Sequence, residues 1–302
     1  IRSSSGCSWE AALDTSTISG IDHAAGSATG GDCQPGPGEP GTARDILVIV
    51  PAFRNPAALE LCVAAVSGQT VAERISLYVR DNSLDNVYYT AAVNEGLKYG
   101  LERQNYRYFV VLTQDCRLAS DAIERLVQFM EEYPGVGIVA PIQLDPDNPE
   151  DALWVGSQQS FPEGKAFQGP HSGLDSGGET VWANGAAFMV KREVLLEIGL
   201  LDENMRFVCS DADFSFSARA RGWQVVWIRA ACCYHKPGGA LRPNDAALMQ
   251  VIREDTVYFA DKWITGALFR KLEHRENAKD QNSFIDHRDA IAKLAGLPLI
   301  RN

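Results

Sequence analysis

The sequence predicts an α/β fold, a mostly parallel central sheet flanked by helices, with a helical segment at the C-terminal end. Three observations carry that prediction. Short apolar runs such as Ile46-Leu47-Val48-Ile49-Val50 and Tyr108-Phe109-Val110-Val111-Leu112 are continuous rather than alternating, the pattern of strands covered on both faces. Helical stretches alternate with these runs, which implies right-handed strand–helix–strand units and parallel pairing. Finally, 302 residues with 45% hydrophobic content can bury one large core.

Taken in order, residues 1–44 are rich in Gly, Ser, Ala, Thr and Pro, too poor in apolar side chains to bury much, and read as an N-terminal extension. The main domain spans 45–239, in halves 45–142 and 143–239. Its first strand, Ile46 to Val50, is bounded by Pro51 and followed by a helix over 57–67. A second strand runs from Ile75 to Arg80 into Asp81-Asn82-Ser83, with a helix over 88–102 after it. The third strand, Tyr108 to Leu112, leads into Thr113-Gln114-Asp115 and a helix near 120–132, for which Ser120 is the expected N-cap. Val136 to Ala140 forms a fourth strand, closed by Pro141.

The second half is less regular. Residues 143–180 predict loops with short strands, and Trp182 to Val190 a small-residue turn running into a strand. A helix from Arg192 stops at Gly199. The stretch Ser210 to Trp223 is a helix opened by Asp211 and Asp213, acids that the helix dipole favours in a first turn, and ended by Gly222. The strand Gln224 to Ile228 precedes Tyr234-His235-Lys236-Pro237-Gly238-Gly239. In the C-terminal segment, 240–302, Val251, Val257, Tyr258, Trp263, Leu268 and Phe269 are set among charges as in amphipathic helices. Such helices serve either to pack on the domain or to meet a membrane-bound acceptor or a second copy of the chain.

The net charge of −11 excludes a general nucleic-acid-binding surface, though not a local phosphate site built from backbone N–H groups, one cation or a metal. No stretch approaches the roughly 20 apolar residues of a membrane span, and no signal peptide opens the sequence. Seven cysteines, odd in number and without a CxxC pair, point to reduced thiols and a cytoplasmic location rather than a disulfide framework.

In an open α/β sheet, ligands bind beyond the carboxyl ends of the strands. Phe53-Arg54-Asn55, Asp81-Asn82-Ser83 and Gln114-Asp115 all follow such ends and converge on one rim. Asp115 and Asp81 each have a plainer reading, as a helix cap and an Asx turn.

Four stretches in this order resemble the family 2 glycosyltransferases of GT-A fold: Val48-Ile49-Val50-Pro51-Ala52-Phe53-Arg54-Asn55, Val79-Arg80-Asp81-Asn82-Ser83, Leu112-Thr113-Gln114-Asp115, and Asp211-Ala212-Asp213 followed by Arg219, Gly222-Trp223 and His235. The likeness covers about residues 45 to 240 and is nearest the rhamnosyl- and galactofuranosyl-transferase subgroup. It implies an inverting glycosyltransferase that moves a sugar from a nucleoside diphosphate, UDP or dTDP favoured, to a glycan or lipid-linked hydroxyl acceptor. Pro51, Phe53, Asn55, Asp81 and Gln114 would then contact the nucleotide sugar. Asp115 and His235 would ligate a divalent cation, Mg2+ or Mn2+, that neutralises the leaving diphosphate. Asp211, or Asp213 in its stead, would take the acceptor proton. Trp182, Asn184 and Gly185 would line the acceptor pocket, or form only a structural turn. The chain departs from the family pattern at Thr113, where the motif has its first Asp, at Ala52 for Thr, and at Ser210 for the Glu before the base. The departures at Thr113 and Ser210 leave a nucleotide- or glycan-binding module without catalysis as a rival reading; a second rival, a nucleotidyltransferase, is disfavoured because no Gly-rich, Lys- or Arg-bearing loop follows the first strand.

Overall fold

The computed structural model describes residues 21–23, 44–103, 105–158, 165–166, 169–235, 245–265 and 281–300. Of the sequence readings, most of the 1–44 extension, Lys236 to Gly239 and the pair Leu268 and Phe269 lie outside the described residues.

Strand β1 is Ile21–His23, β2 Ile46–Ala52, β3 Ile75–Asp81, β4 Tyr108–Leu112, β5 Cys116–Leu118, β6 Val136–Leu144 and β7 Asp151–Trp154. The shorter β8 (Ser157–Gln158), β9 (Lys165–Ala166), β10 (Gly169–Pro170) and β11 (Gly177–Glu179) fill the stretch expected to hold short strands, before β12 (Ala187–Lys191) and β13 (Gln224–His235). The helices are α1 (Pro56–Ser67), α2 (Tyr88–Leu101), α3 (Ala122–Glu132), α4 (Arg192–Ile198), α5 (Ser210–Ala220), α6 (Ala246–Thr265) and α7 (Gln281–Ala295).

The continuous apolar runs have a direct cause. In β2, Ile46, Val48 and Val50 face a cluster with Cys62 and Val66 of α1 and Leu126 of α3, while Leu47 and Ile49 face Val93 and Leu97 of α2. Each successive side chain therefore meets a core on its own face of the sheet. Gly96 lets α2 lie close, because a Cβ there would stand 2.5 Å from the Ile49 side chain.

The sheet is mixed. Its order is β1-β3-β2-β4-β12-β6-β13-β11, with β2 parallel to β3 and β4 but β12 antiparallel to both β4 and β6. Thus β4 and β6, consecutive in the strand–helix alternation, are separated by a strand from the other half of the chain. Two strands outrun their expected ends. β6 continues past Pro141 to Leu144, and β13 continues past Ile228 to His235. The β6–β13 pairing absorbs the missing Pro141 N–H with a register shift between Ile228 and Cys232. Helix α3 starts at the residue after Asp121 with no side-chain cap; the Ser120 carbonyl instead accepts from Thr70 N at 2.8 Å.

Within the N-terminal extension, Ile21–His23 pairs in parallel with Leu77–Val79 at the sheet edge. At the other end, α6 packs Phe259, Ala260 and Trp263 against Val181, Met205 and Phe216, and Val251 and Val257 are buried as well. The apolar residues of 240–302 that are described thus lie largely inside the domain, with Tyr258 half exposed. Arg288 of α7 forks onto Asp261 of α6 at 2.8 and 3.0 Å, joining the last two helices. Among the described residues, no helix is long and apolar enough to cross a membrane.

Candidate functional site

At the carboxyl ends of β2, β3 and β4 lies a cavity of about 540 Å³, walled on its other side by the 182–186 turn, the start of α5 and the first turn of α6. Pro51, Phe53, Gln114, Asp115, Trp182, Asn184, Gly185, Asp211 and His235, all anticipated from sequence, line it; Asn55, Asp81 and Asp213 do not.

Asp115 and His235 are brought together by a short ladder. β5 starts at the residue after Asp115 and pairs antiparallel with the end of β13, so that His235 stands opposite Cys116. His235 Nε2 lies 3.7 Å from Asp115 Oδ1. The other ring nitrogen, Nδ1, is 3.1 Å from Oε1 of the fully buried Gln143; with the ring proton on Nδ1 donated there, the Nε2 lone pair is left toward Asp115. Burial holds the imidazole below its ordinary pKa, and nearby Asp115 offsets part of that. A neutral imidazole beside a carboxylate oxygen suits a divalent cation. No third His, Cys, Asp or Glu completes a cluster among the described residues. Thr113, in place of a first acid, turns its hydroxyl toward the Ala186 carbonyl.

The strand-end loops show what each polar residue does. Gln114 forks onto the backbone of Phe53, accepting from its N–H at 3.0 Å and donating to its carbonyl at 2.9 Å. The β2–β4 ladder ends at Ile49 and Val111, and this side chain extends the link between the two strand ends. Asn55 caps α1 by accepting from Ala58 N at 3.2 Å. Asp81 closes an Asx turn onto Ser83 N at 2.8 Å. Arg54, at a φ of 45°, rests its guanidinium over the Phe53 ring and bonds Ser83 through both its N–H and its Nε.

Asp211 sits at the start of α5 and accepts at Oδ2 from Gly185 N (2.7 Å) and at Oδ1 from Ala212 N (2.9 Å). Burial raises its pKa, and these backbone donors pull it back down. Tyr89 closes the arrangement by donating to the Gly185 carbonyl at 2.8 Å. A Cβ at position 185 would stand 2.7 Å from Tyr89 Oη and 3.1 Å from Asp211 Oδ2, so any larger residue in this turn would have to displace one of them. Asn184 stabilises the same turn by accepting from Ala186 N, and the Trp182 carbonyl accepts from Thr180 Oγ1.

Asp213 points elsewhere. It is buried against α6, accepting from Lys262 Nζ at 2.8 Å and from the Trp263 indole at 2.9 Å. Sequence reasoning left these two acids as alternatives, and the structure puts them in different surroundings. It also adds Arg54, Asn82, Tyr88, Tyr89, Phe207, Val208, Cys209 and Leu248 to the cavity wall. Of these, only Arg54 and Asn82 were on the predicted rim; the rest arrive by tertiary packing that leaves no local pattern.

With this geometry in hand, the comparisons with known proteins are specific. The family model described as "Glycosyl transferase family group 2" matches residues 108–287, more than half of the chain. No curated protein sequence matches the chain. Among solved structures, one described as GalNAc-T7 with UDP, GalNAc and Mn2+ is similar at a TM-score of 0.51 and 14% identity, covering 85% of this chain and 58% of that one. The chain therefore spans little more than half the length of that protein, and the likeness shows the fold. The mannosyltransferase PcManGT from Pyrobaculum calidifontis, in complex with GDP-Man and Mn2+, aligns at a TM-score of 0.49 and 16% identity over 83% of this chain and 74% of that one.

Proposed function

Because the chain belongs to glycosyl transferase family group 2, we propose that it moves a sugar from a nucleoside diphosphate to a hydroxyl of a glycan or lipid-linked glycan, with inversion at the anomeric carbon. The fold is the GT-A fold expected from the sequence. The observation that carries the reading is that one cavity holds both an Asp115–His235 pair and a separate carboxylate, Asp211, on a different element.

The two halves have distinct roles. Asp211 accepts the proton of the acceptor hydroxyl as its oxygen attacks the anomeric carbon. The bond from that carbon to the diphosphate oxygen breaks on the opposite face, and its electron pair leaves with the nucleoside diphosphate. A Mg2+ or Mn2+ ion held by Asp115 and His235 would supply positive charge to that leaving diphosphate. With two protein ligands, the cation would rely on the phosphates for further oxygen ligands, and a proton on Nδ1 donated to Gln143 would leave the imidazole presenting Nε2. Asp211 is bonded by backbone donors and no ion pair to it is found among the described residues, so its carboxylate is not already spent on a cation.

Phe53, Pro51 and Gln114 would frame the nucleotide, Gln114 by holding the Phe53 backbone in place. UDP and dTDP remain the favoured nucleotides, and UDP accompanies the similar fold of GalNAc-T7. The four motifs set the chain nearest the rhamnosyl- and galactofuranosyl-transferases within its family. Among the described residues, Cys62, Cys116, Cys209 and Cys233 are free thiols, in keeping with a reducing cytoplasm.

A thermal-shift panel of nucleoside diphosphates with and without Mn2+ tests the donor side, since a ligand that binds the folded state raises stability by RT ln(1 + [L]/Kd). UDP or dTDP is expected to give a shift that grows with Mn2+ and loses that growth in His235→Ala. A metal-independent shift would remove Asp115 and His235 from the reading, and no shift with any nucleotide would end it.

A further inference from the structure

We propose that Asp255, in the middle of α6, is a positioning residue for the transfer reaction: it holds the Phe207–Cys209 wall of the cavity and, through it, the entry of the chain into α5 at Asp211. This rests on the proposed function in identifying Asp211 as the base. The wall itself is a matter of geometry.

Asp255 is fully buried, 0% exposed, yet carries a carboxylate. Its Oδ2 accepts from two consecutive backbone donors, Phe207 N at 2.6 Å and Val208 N at 3.0 Å. Oδ1 has no hydrogen-bond partner, with Arg206 Nε standing off at 3.8 Å. Arg206 itself pairs with Glu254, the neighbour of Asp255 on α6. Taking a carboxylate wholly out of water costs several kcal/mol unless it is well bonded, and here half of its acceptor capacity is unused. An apolar side chain in the same space would leave the Phe207 and Val208 N–H groups without their acceptor, so what the acid provides is a fixed path for that backbone.

That path needs fixing. Cys209 has a φ of 68°, left-handed and unfavourable for a residue with a Cβ, and it directly precedes the first residue of α5. The N-cap residue Cys209 makes no side-chain bond to the first turn of α5. The segment is gripped from two sides instead. Thr90 of α2 donates from its backbone to the Arg206 carbonyl, and its hydroxyl meets the Met205 carbonyl and the Ser210 hydroxyl. Asp255 takes the N–H groups of the next two residues from the opposite face. Phe207, Val208 and Cys209 line the cavity, and Asp211 follows two residues on. Loosening this grip would let the left-handed residue relax and rotate the first turn of α5, which carries the carboxylate that Gly185 N must meet.

The test is Asp255→Asn in the full chain, which keeps the shape and one acceptor oxygen, beside Asp255→Leu, which removes both. We expect Asp255→Asn to lower kcat by about tenfold to a hundredfold, the scale of a small misplacement of a reacting group, and Asp255→Leu to lower it further. Nucleotide affinity with Mn2+ should stay within about twofold in Asp255→Asn, because the donor rim is built by other elements. Amide exchange over 205–211 should quicken in the unliganded variant while exchange in β2 and β4 stays unchanged. If Asp255→Asn keeps wild-type kcat, or loses kcat and nucleotide affinity together in step with its melting temperature, Asp255 is not a positioning residue. Should the wild type transfer no sugar at all, the proposed function falls, and exchange over 205–211 still decides whether Asp255 holds the wall: unchanged exchange overturns it.

Discussion

The two sides of the cavity are built by different means. On the strand side, Pro51, Phe53, Gln114 and Asp115 arrive because β2 and β4 end there, and the parallel ladder between these two fully buried strands fixes their positions. On the helix side, the wall from Phe207 to Asp211 and the α6 turn are held by buried acids: Asp255 on backbone N–H groups and Asp213 on Lys262 and Trp263. Strand ends are placed by main-chain pairing that tolerates side-chain change, whereas the helix side depends on a few charged groups whose loss is felt at once. Mutations should therefore separate the two sides by what they damage.

The largest effect is expected at Asp211, the acid that opens α5 on the helix side of the cavity. Asp211→Asn keeps an oxygen for Gly185 N but cannot take a proton, and kcat should fall by about 10²- to 10⁴-fold with nucleotide binding intact. Steady-state transfer combined with nucleotide titration checks this. If kcat survives, the helix side has no base at Asp211.

Asp213→Ala should do the reverse. It strips Lys262 of one of its two carboxylates and leaves the Trp263 indole N–H buried without its acceptor, while Asp202 keeps its 2.9 Å bond to Lys262. A cost of about 2–4 kcal/mol in unfolding free energy follows, read by urea denaturation, with kcat per folded molecule little changed. A large kcat loss at unchanged stability would instead make Asp213 the base and reverse the assignment.

This pair shows what the sequence could and could not disclose. Both acids open the same helix two residues apart, and nothing local says which one turns to the cavity. That choice is made by Lys262 and Trp263, about 50 residues further along the chain. The strands were readable because burial on both faces removes polar alternation, and the rim was readable because strand ends follow from the strands. The insertion of β12 between β4 and β6 was not, since antiparallel pairing between segments so far apart in sequence leaves no mark on either partner. At the rim, residue type did not foretell what a side chain bonds, for Asn55 lies outside the cavity lining as a helix cap and Gln114 is a link between strand ends. The roles of Gln143 and Asp255 were invisible, because each acts on a group far away in sequence.

A smaller effect probes the seam between the two sides. Gly185 belongs to the turn that enters β12, a sheet strand, yet its N–H holds Asp211 on α5. Gly185→Ala would set a methyl group 2.7 Å from Tyr89 Oη, forcing either the tyrosine or the turn to move. We expect kcat to fall by about tenfold to a hundredfold, with nucleotide affinity preserved. Tyr89→Phe removes the hydroxyl that obstructs the new methyl and should restore part of the loss when combined with Gly185→Ala. Loss of nucleotide binding in Gly185→Ala would show that the two walls are not independent.

The smallest effect lies within the helix side, where two acids share one lysine but respond to pH in opposite directions. Burial raises the pKa of Asp213 above the ordinary 3.8 despite Lys262, whereas Asp202, also bonded by Lys262 and by Asn204, is lowered below it. A raised acid contributes stability that is full below 3.8 and is lost as pH rises through its folded value. A lowered acid contributes stability that is present above 3.8 and is lost as pH falls through its folded value. Relative to wild type, Asp213→Asn should therefore gain in unfolding free energy as pH rises from the acid side toward neutrality, and Asp202→Asn should lose over the same range. Denaturant melts of the three proteins at matched ionic strength measure both slopes, with high salt as a control because Asp202 is the more exposed partner. Parallel slopes in the two variants would mean that Lys262 governs both acids alike and that burial does not set Asp213 apart. Opposite slopes would show that the helix side is held by a carboxylate that costs stability at neutral pH, a cost absent from the paired strands across the cavity.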